Sequence, residues 1–109
     1  MELLTKVFII IWLHFIADFI LQSTDMGTKK SSDIKWLITH CAVYTLPFVI
    51  MGWKFALITG LLHFCVDFVT SKITSYFWKR EEVHWFFVTI GWDQAVHMSI
   101  FIILLKHNI

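Results

Sequence analysis

The sequence predicts an all-α integral membrane protein in which four helices pack as a bundle. Its 109 residues are 58% hydrophobic, include one proline and have a mean hydropathy of +0.71. A soluble domain of this length does not need so apolar a composition. Nearly uncharged runs recur at about the 20 residues that a helix needs to cross a bilayer. Tryptophans near the ends of these runs suit the headgroup level of a membrane. They are Trp36, Trp53, Trp78 and Trp85.

The composition also excludes several classes of protein. The formal net charge is only +1, without the basic surplus of a nucleic-acid-binding protein, so no nucleic-acid partner is expected. Cys41 and Cys65 both fall inside apolar runs and form no CxxC motif. We therefore expect them to be small buried hydrophobes and not part of a disulfide, zinc or iron–sulfur site. The chain is expected to form a single membrane domain, residues 1–109.

The four predicted spans cover residues 3–22, 34–52, 55–77 and 83–105. The first is expected to remain as a permanent span, because it lacks the small-residue cleavage site of a signal peptide. The polar segment 23–33 is predicted to be a loop in which Gly27 breaks the helix. The candidates for the N-cap of the next helix are Ser31, Ser32 and Asp33.

Two breaks are expected around the second span. Pro47 lies inside it, where it leaves the carbonyl of Val43 without its helical donor and should kink the helix. Only Gly52, Trp53 and Lys54 separate spans two and three. These two spans must therefore be antiparallel neighbours.

Three pairs of ionisable residues lie inside the apolar runs at a spacing of four. Residues at i and i+4 lie on one face of a helix, so each pair forms a polar stripe. The motifs are HxxxDxxxQ at His14, Asp18 and Gln22, HxxxD at His63 and Asp67, and DQxxH at Asp93, Gln94 and His97. The first two recur at an offset of 49 residues, which predicts a weak two-fold internal repeat of helix pairs.

These stripes are expected to meet inside the bundle. Counted at about 1.5 Å per residue from the side with the longer loops, the six ionisable residues and His40 lie in one slab of the membrane. An aspartate at a span centre costs about 2.5–3.5 kcal/mol on the insertion scale, so the three aspartates must be neutralised. The alternative is that Asp–His hydrogen bonds only hold the helices together. It fits less well, because such bonds contribute about 0.6 kcal/mol each on average.

The loop charges predict an orientation. Six cationic residues flank one side of the spans and three flank the other. The larger set is Lys29, Lys30, Lys35, Lys72, Lys79 and Arg80, and the smaller is Lys6, Lys54 and Lys106. The positive-inside rule then places both termini outside the cytoplasm. The oligomeric state stays open, a homo-oligomer included.

The chain resembles a family of small bacterial and phage membrane proteins of unknown function. The features that carry the resemblance are the segment HFIADFILQ, a lysine-bearing loop, a span with an early histidine, and the segments HFCVDF and DQAVH. The resemblance covers nearly the whole chain and implies a four-span protein; it implies no activity. The location that we expect is the bacterial inner membrane. The HxxxD helices are also loosely similar to those of predicted inner-membrane metal-dependent hydrolases, which are longer.

Three functions fit the polar residues. Mixed His and Asp ligands suit Zn, Mn or Fe, and helix bundles hold such ions with ligands from facing helices. The first hypothesis is a membrane-embedded metal-dependent hydrolase with one or two ions, acting on a lipid or another amphiphile. The second is a transporter or channel for protons or divalent metal ions. The third is a b-type haem protein, since every span offers a histidine, but haem leaves the carboxylates unexplained.

The first hypothesis gives the polar residues separate roles. The metal ligands are His14, Asp18, His63, Asp67, Asp93 and His97. His40 is a catalytic base or a further ligand. The residues expected to bind a polar or anionic headgroup at the mouth of the site are Gln22, Lys29, Lys30 and Gln94. The hydroxyls of Thr59, Thr70, Thr74 and Thr89 are expected to orient the ligands.

Overall fold

The computed structural model describes residues 2–109, in which every regular element is a helix. In chain order these are α1 (Leu3–Phe15) with a π-helical turn (Ile16–Ile20), α2 (Thr24–Lys29), α3 (Ile34–Thr45) with a 3-10 helix (Leu46–Met51), α4 (Trp53–Lys79) and α5 (Val83–Lys106). The predicted all-α class and the four long helices are confirmed. The short helix α2 lies where the sequence predicts a loop.

The long helical segments are suited to lipid. The four that are long and apolar enough to cross a membrane are Leu3–Ile20, Ile34–Met51, Trp53–Lys79 and Val83–Lys106. The molecule is 45 Å long, close to the thickness of about 40–45 Å of a bilayer with its headgroups. Within residues 2–109, eleven polar or ionisable side chains are buried against ten hydrophobic ones, while large apolar side chains cover the outside. This inverted distribution suits a membrane protein, because lipid solvates the apolar exterior.

The four spans close into a bundle around α4. α4 packs against α3 on one side and α5 on the other, and α1 contacts α5 and the 3-10 helix. A hydrophobic core fills the half of the bundle that lies away from the segment 21–33. Its largest members are Ile10, Tyr44, Phe48, Phe55 and Phe101. The ionisable residues occupy the other half, which faces the longer connections.

Spans two and three approach each other most closely where Gly60 of α4 faces Thr45. A Cβ atom at position 60 would overlap the side chain of Thr45. The Thr45 hydroxyl is held in place because it donates to the carbonyl of Cys41 at 2.8 Å. Glycine at position 60 therefore sets the distance between these two spans.

The first span ends earlier than predicted. Its last turn, Ile16–Ile20, is π-helical, and the N–H of Leu21 donates to the carbonyl of Ile16 at 2.8 Å. Gln22 follows the helix and does not lie on a helical stripe with His14 and Asp18, so that part of the prediction was wrong. This π-helical turn carries Asp18.

The predicted loop 23–33 contains α2, which packs against α3. The side chain of Ser23 caps α2 by accepting a hydrogen bond from the N–H of Met26 at 3.2 Å. Gly27 lies inside α2, so the prediction that it breaks the helix was wrong. A Cβ at position 27 would lie 3.2 Å from Nε2 of Gln22. Glycine therefore lets the Gln22 side chain pack closely against α2.

The two breaks expected around span two are present. α3 begins after Asp33, one of the three predicted caps. It changes to the 3-10 helix at Leu46 and Pro47, and the carbonyl of Val43 accepts the N–H of Leu46 instead. Gly52 then turns the chain into α4 with a φ of 107°, a conformation that glycine adopts readily and other residues avoid.

The two halves of the predicted repeat share direction and polar spacing but differ in regularity. His14 and Asp18 lie on either side of the junction between α1 and the π-helical turn, whereas His63 and Asp67 lie in the unbroken α4. The second span is likewise interrupted and the fourth is not. Both interruptions fall in the first half, so the repeat does not extend to local helix geometry.

Candidate intramembrane metal site

Three buried side chains from three different spans point their polar atoms at one another. They are Asp18 on the π-helical turn, His40 on α3 and His63 on α4, and we call them the His-Asp triangle. His40 Nε2 lies 3.1 Å from His63 Nε2 and 3.2 Å from Asp18 Oδ1. His63 Nε2 lies 3.6 Å from the same Asp18 oxygen. The convergence expected from the depth of these residues is thus present in the fold.

A chain of hydrogen bonds holds the other oxygen of Asp18. The Tyr44 hydroxyl lies 2.8 Å from His14 Nδ1, and His14 Nε2 lies 2.7 Å from Gln94 Oε1. Gln94 Nε2 in turn donates to Asp18 Oδ2 at 3.2 Å. Because an amide oxygen only accepts, His14 carries its proton on Nε2 and accepts the Tyr44 proton at Nδ1. The chain fixes Oδ2 and leaves Oδ1 facing the two histidines of the triangle.

Asp18 also belongs to a second group of potential ligands, with Asp93 and His97 of α5. Gln94 Nε2 bridges the two aspartates, at 3.2 Å from a carboxylate oxygen of each. His97 Nε2 lies 3.3 Å from Asp93 Oδ2 but forms no hydrogen bond within residues 2–109. The other Asp93 oxygen lies 2.7 Å from the Thr70 hydroxyl. Thr70 therefore orients a carboxylate as predicted, whereas the hydroxyls of Thr74 and Thr89 donate to backbone carbonyls of their own helices.

Asp67 is held by a cation from the connection between spans one and two. Lys30 Nζ donates to both carboxylate oxygens of Asp67, at 3.0 and 2.8 Å. Asp67 Oδ2 also lies 3.4 Å from His40 Nε2, so it borders the triangle. A third group of potential ligands joins Asp67 with His63 and Cys41. Lys30 directly follows α2, and this short helix therefore places an ammonium group over the mouth of the site.

The cluster carries a net negative charge. With neutral histidines, the three carboxylates of Asp18, Asp67 and Asp93 exceed the ammonium of Lys30 by two charges. Uncompensated charge is costly at membrane depth. One divalent cation would bring the cluster to neutrality.

A cavity of about 180 Å³ connects the cluster to the side of the molecule that bears α2. Its polar lining includes Asp18, Gln22, Lys30, Asp67, Ser71, Asp93 and Gln94. On the opposite side, the aromatic rings of Phe48, Phe55 and Phe101 pack together as part of the hydrophobic core. The cluster is therefore reached from the side with the longer connections.

Comparison with known proteins places the chain in one family. The model of the family described as "Protein of unknown function (DUF3307)" matches residues 4–109. The chain belongs to DUF3307. No curated protein and no solved structure matches it. Membership in DUF3307 confirms the resemblance to an uncharacterised family and adds no activity, so the chemistry of the site rests on its geometry.

In this DUF3307 protein the structure brings together most of the residues that the sequence singles out. The expected ligands Asp18, His63, Asp67, Asp93 and His97 all belong to the three groups of potential ligands, and so does His40. His14 belongs to none of these groups among residues 2–109; its two ring nitrogens face Tyr44 and Gln94 instead.

The four residues expected to bind a headgroup have different positions. Gln22, Lys30 and Gln94 line the cavity. Lys29 lies elsewhere: its exposed ammonium pairs with Asp25 at 3.3 Å and lies over the ring of Trp36. Two adjacent lysines therefore differ in position, one inside the site and one in solvent.

Sequence reasoning does not single out three residues that lie beside the cluster. Tyr44 stacks on the ring of His63, with centroids 3.8 Å apart, and follows His40 by four residues. Ser71 is buried and follows Asp67 by four residues. The same i, i+4 spacing that marks the histidines could have found both. Cys41 is buried as predicted, whereas Cys65 is exposed, so the prediction for Cys65 was wrong. The proximity of Cys41 to His63 and Asp67 has no periodic signal in the sequence.

Proposed function

We propose that this protein holds a divalent transition metal ion, Zn, Mn or Fe, at the His-Asp triangle. The observation that supports the proposal is the spacing of the three ligand atoms, at 3.1, 3.2 and 3.6 Å from one another. A tetrahedral zinc ion with bonds of about 2.0–2.1 Å has ligand atoms about 3.3–3.4 Å apart. The edges of the triangle bracket this value, so an ion can bind with little rearrangement.

The proposal gives His40 the role of a ligand. His14 acts as a positioning residue, because it reaches Asp18 only through Gln94. Asp93 and His97, together with the second oxygen of Asp18, offer a place for a second ion. The metal-free cluster has two net negative charges, which equal the charge of one divalent ion.

A hydrolase is the function that this arrangement supports best. A metal ion with three protein ligands keeps one coordination position for water, and such sites produce a nucleophile near neutral pH. In hydrolysis of an ester, the water oxygen bonds to the acyl carbon, the ester C–O bond breaks, and the alcohol leaves with a proton. The site lies in a membrane-spanning bundle and opens beside its longer connections, a location that suits a lipid or another amphiphile as substrate.

The two alternative functions have less support. A transporter or channel needs a path across the membrane, whereas the aromatic core fills the bundle beyond the cluster. A haem protein needs two axial nitrogens on opposite faces of a large ring. Here His40 Nε2 and His63 Nε2 are only 3.1 Å apart beside a cavity of about 180 Å³.

Metal content tests the proposal directly. Protein purified in detergent without chelator should contain about one transition metal ion per chain, or bind one when Zn or Mn is added. Asp18→Asn should weaken binding by at least about 10–100-fold, since even the loss of a residue that only supports a ligand has that effect. Asp25→Asn is the matched control, because Asp25 is exposed and pairs with Lys29. Protein that stays metal-free with added Zn, Mn and Fe would remove the basis of the proposal.

Reconstitution separates the hydrolase from the transporter. The protein is placed in vesicles with a fluorogenic long-chain ester on one side and a zinc-sensitive dye inside. Hydrolysis that chelator abolishes and metal restores supports the hydrolase. Zinc flux into the vesicles without hydrolysis supports the transporter instead.

A further inference from the structure

A groove on the surface of the bundle adjoins the cavity of the cluster. It has a volume of about 580 Å³ and lies between α2, the second half of α4 and the start of α5. It shares five lining residues with the cavity, namely Gly27, Lys30, Ser71, Thr74 and Phe86. The groove and the cavity are thus adjacent and share part of one wall.

One face of α4 lines both the groove and the cavity. Ser71, Thr74, Ser75 and Trp78 line the groove at the spacing of successive helical turns. The same face continues inward through Asp67 and His63, at four and eight residues before Ser71. From Trp78 to Ser71 the helix rises by about 10 Å. A row of hydroxyls therefore leads from the level of Trp78 into the bundle.

The chemistry of the groove matches an anion with an apolar tail. Its charged lining residues are Lys30 and Lys79, and no acidic side chain among residues 2–109 lines it. Trp78, Phe86 and Phe87 form an apolar wall. Trp78 and Phe87 are 59% and 61% exposed, so this wall is open to the surrounding lipid.

A buried hydroxyl at the inner end of the groove has no partner. Ser71 is 5% exposed, and its Oγ forms no hydrogen bond within the described residues. A buried polar atom without a partner is costly, and native proteins rarely leave one unsatisfied. Ser71 lines both the groove and the cavity, so a ligand that passes between them would supply the missing partner.

From these observations we infer that the groove binds the headgroup of an anionic membrane lipid and guides it from the interface to the cluster. The lipid tail lies along Trp78, Phe86 and Phe87. The headgroup binds Lys79 first and then the hydroxyls of Thr74, Ser75 and Ser71. As a substrate site the groove rests on the proposed function, for which it names an anionic lipid as the substrate class. As a binding site it can be measured without metal or turnover.

Lipid retention by the purified full-length chain tests the inference. Native mass spectrometry compares binding of dioleoyl phosphatidylglycerol and dioleoyl phosphatidylcholine, in chelated and in zinc-loaded protein. We expect phosphatidylglycerol to be retained about tenfold more tightly, as one charge-assisted contact allows. Lys79→Gln should abolish most of this preference. Lys54→Gln is the control, because Lys54 is a cation near the other end of α4, beside the Trp53 ring.

A second variant tests the groove without changing charge. Ser75→Leu places a bulky apolar side chain in the groove and should weaken phosphatidylglycerol retention by about tenfold or more, while metal binding stays unchanged. Equal retention of the two lipids, equal effects of Lys79→Gln and Lys54→Gln, or full competition by inorganic phosphate would overturn the inference. Selective retention by protein that binds no metal would support the groove and refute the metal site.

Discussion

Replacing Lys30 with methionine should strengthen the binding of divalent metal ions. Lys30 donates to both oxygens of Asp67, and its side chain is only 14% exposed. It is thus a cation already present in a site that we propose for another cation. Methionine is unbranched and apolar like the stem of lysine and only one atom shorter, but it carries no charge. The net charge of the cluster would change from two to three negative charges.

The structure allows an estimate of the size of this effect. A divalent ion about 6 Å from a fixed Lys30 ammonium would be repelled by about 5–6 kcal/mol at an effective dielectric constant of about 20. Lys30 would therefore leave Asp67 when the ion binds. The cost is then the loss of a hydrogen bond to a charged group, about 1.5–3 kcal/mol. Methionine removes this cost, which corresponds to about 10- to 150-fold tighter binding.

Two measurements check the estimate. Competition between the protein and a zinc-chelating dye gives the affinity, and thermal unfolding in detergent gives the stability. Metal-free Lys30→Met should be less stable than the original protein, because Asp67 stays buried without its partner. Added zinc should then raise its Tm by more. Lys29→Met is the matched control: Lys29 is 53% exposed and pairs with the exposed Asp25, so affinity should not change.

Zinc binding by Lys30→Met that equals or falls below that of Lys29→Met would refute the reasoning. A double variant, Lys30→Met with Asp67→Asn, separates charge from ligation. In this double variant the net charge of the cluster returns to two negative charges. If Asp67 acts only through its charge, zinc affinity should return to the original value. If Asp67 is a ligand, the zinc affinity of the double variant should remain below that of the original protein.

Three further predictions concern the site, the packing and the orientation. Asp67→Asn alone should leave a folded, monodisperse protein with about 10–100-fold weaker metal binding. The control Thr24→Ala on α2 should change nothing. Unchanged metal content in Asp67→Asn would mean that the polar stripe only holds the helices together. Gly60→Ala should lower the free energy of unfolding by about 1–3 kcal/mol, because its Cβ would overlap Thr45. Gly91→Ala is the control and should be neutral, because a Cβ at position 91 has open space. Equal stabilities of the two variants would contradict the close approach of α3 and α4 at Gly60. Both termini should lie outside the cytoplasm, so a C-terminal reporter that is active only in the cytoplasm should be silent, and a strong signal would invert the orientation.

Much of the site is visible in the sequence because its signals are local. The i, i+4 spacing of His63 and Asp67 in an apolar run predicts that both face the bundle interior, and they do. The spacing fails at Gln22, because a π-helical turn ends the span before it. It also fails to give the role of His14, whose two nitrogens face Tyr44 and Gln94. Helical spacing predicts a face, and the partner across the bundle depends on the rotation of the neighbouring helices.

Composition and periodicity alone determine that this chain forms four apolar helices with polar residues inside, since hydropathy and the 3.6-residue repeat act within each helix. Only the tertiary structure decides which polar atoms meet. Lys29 and Lys30 are identical in type and adjacent, yet Lys30 reaches Asp67 and Lys29 remains in solvent. The difference arises from the packing of α2 against α3. The contact between Lys30 and Asp67 joins residues that are 37 positions apart in the chain, and a local pattern cannot encode it.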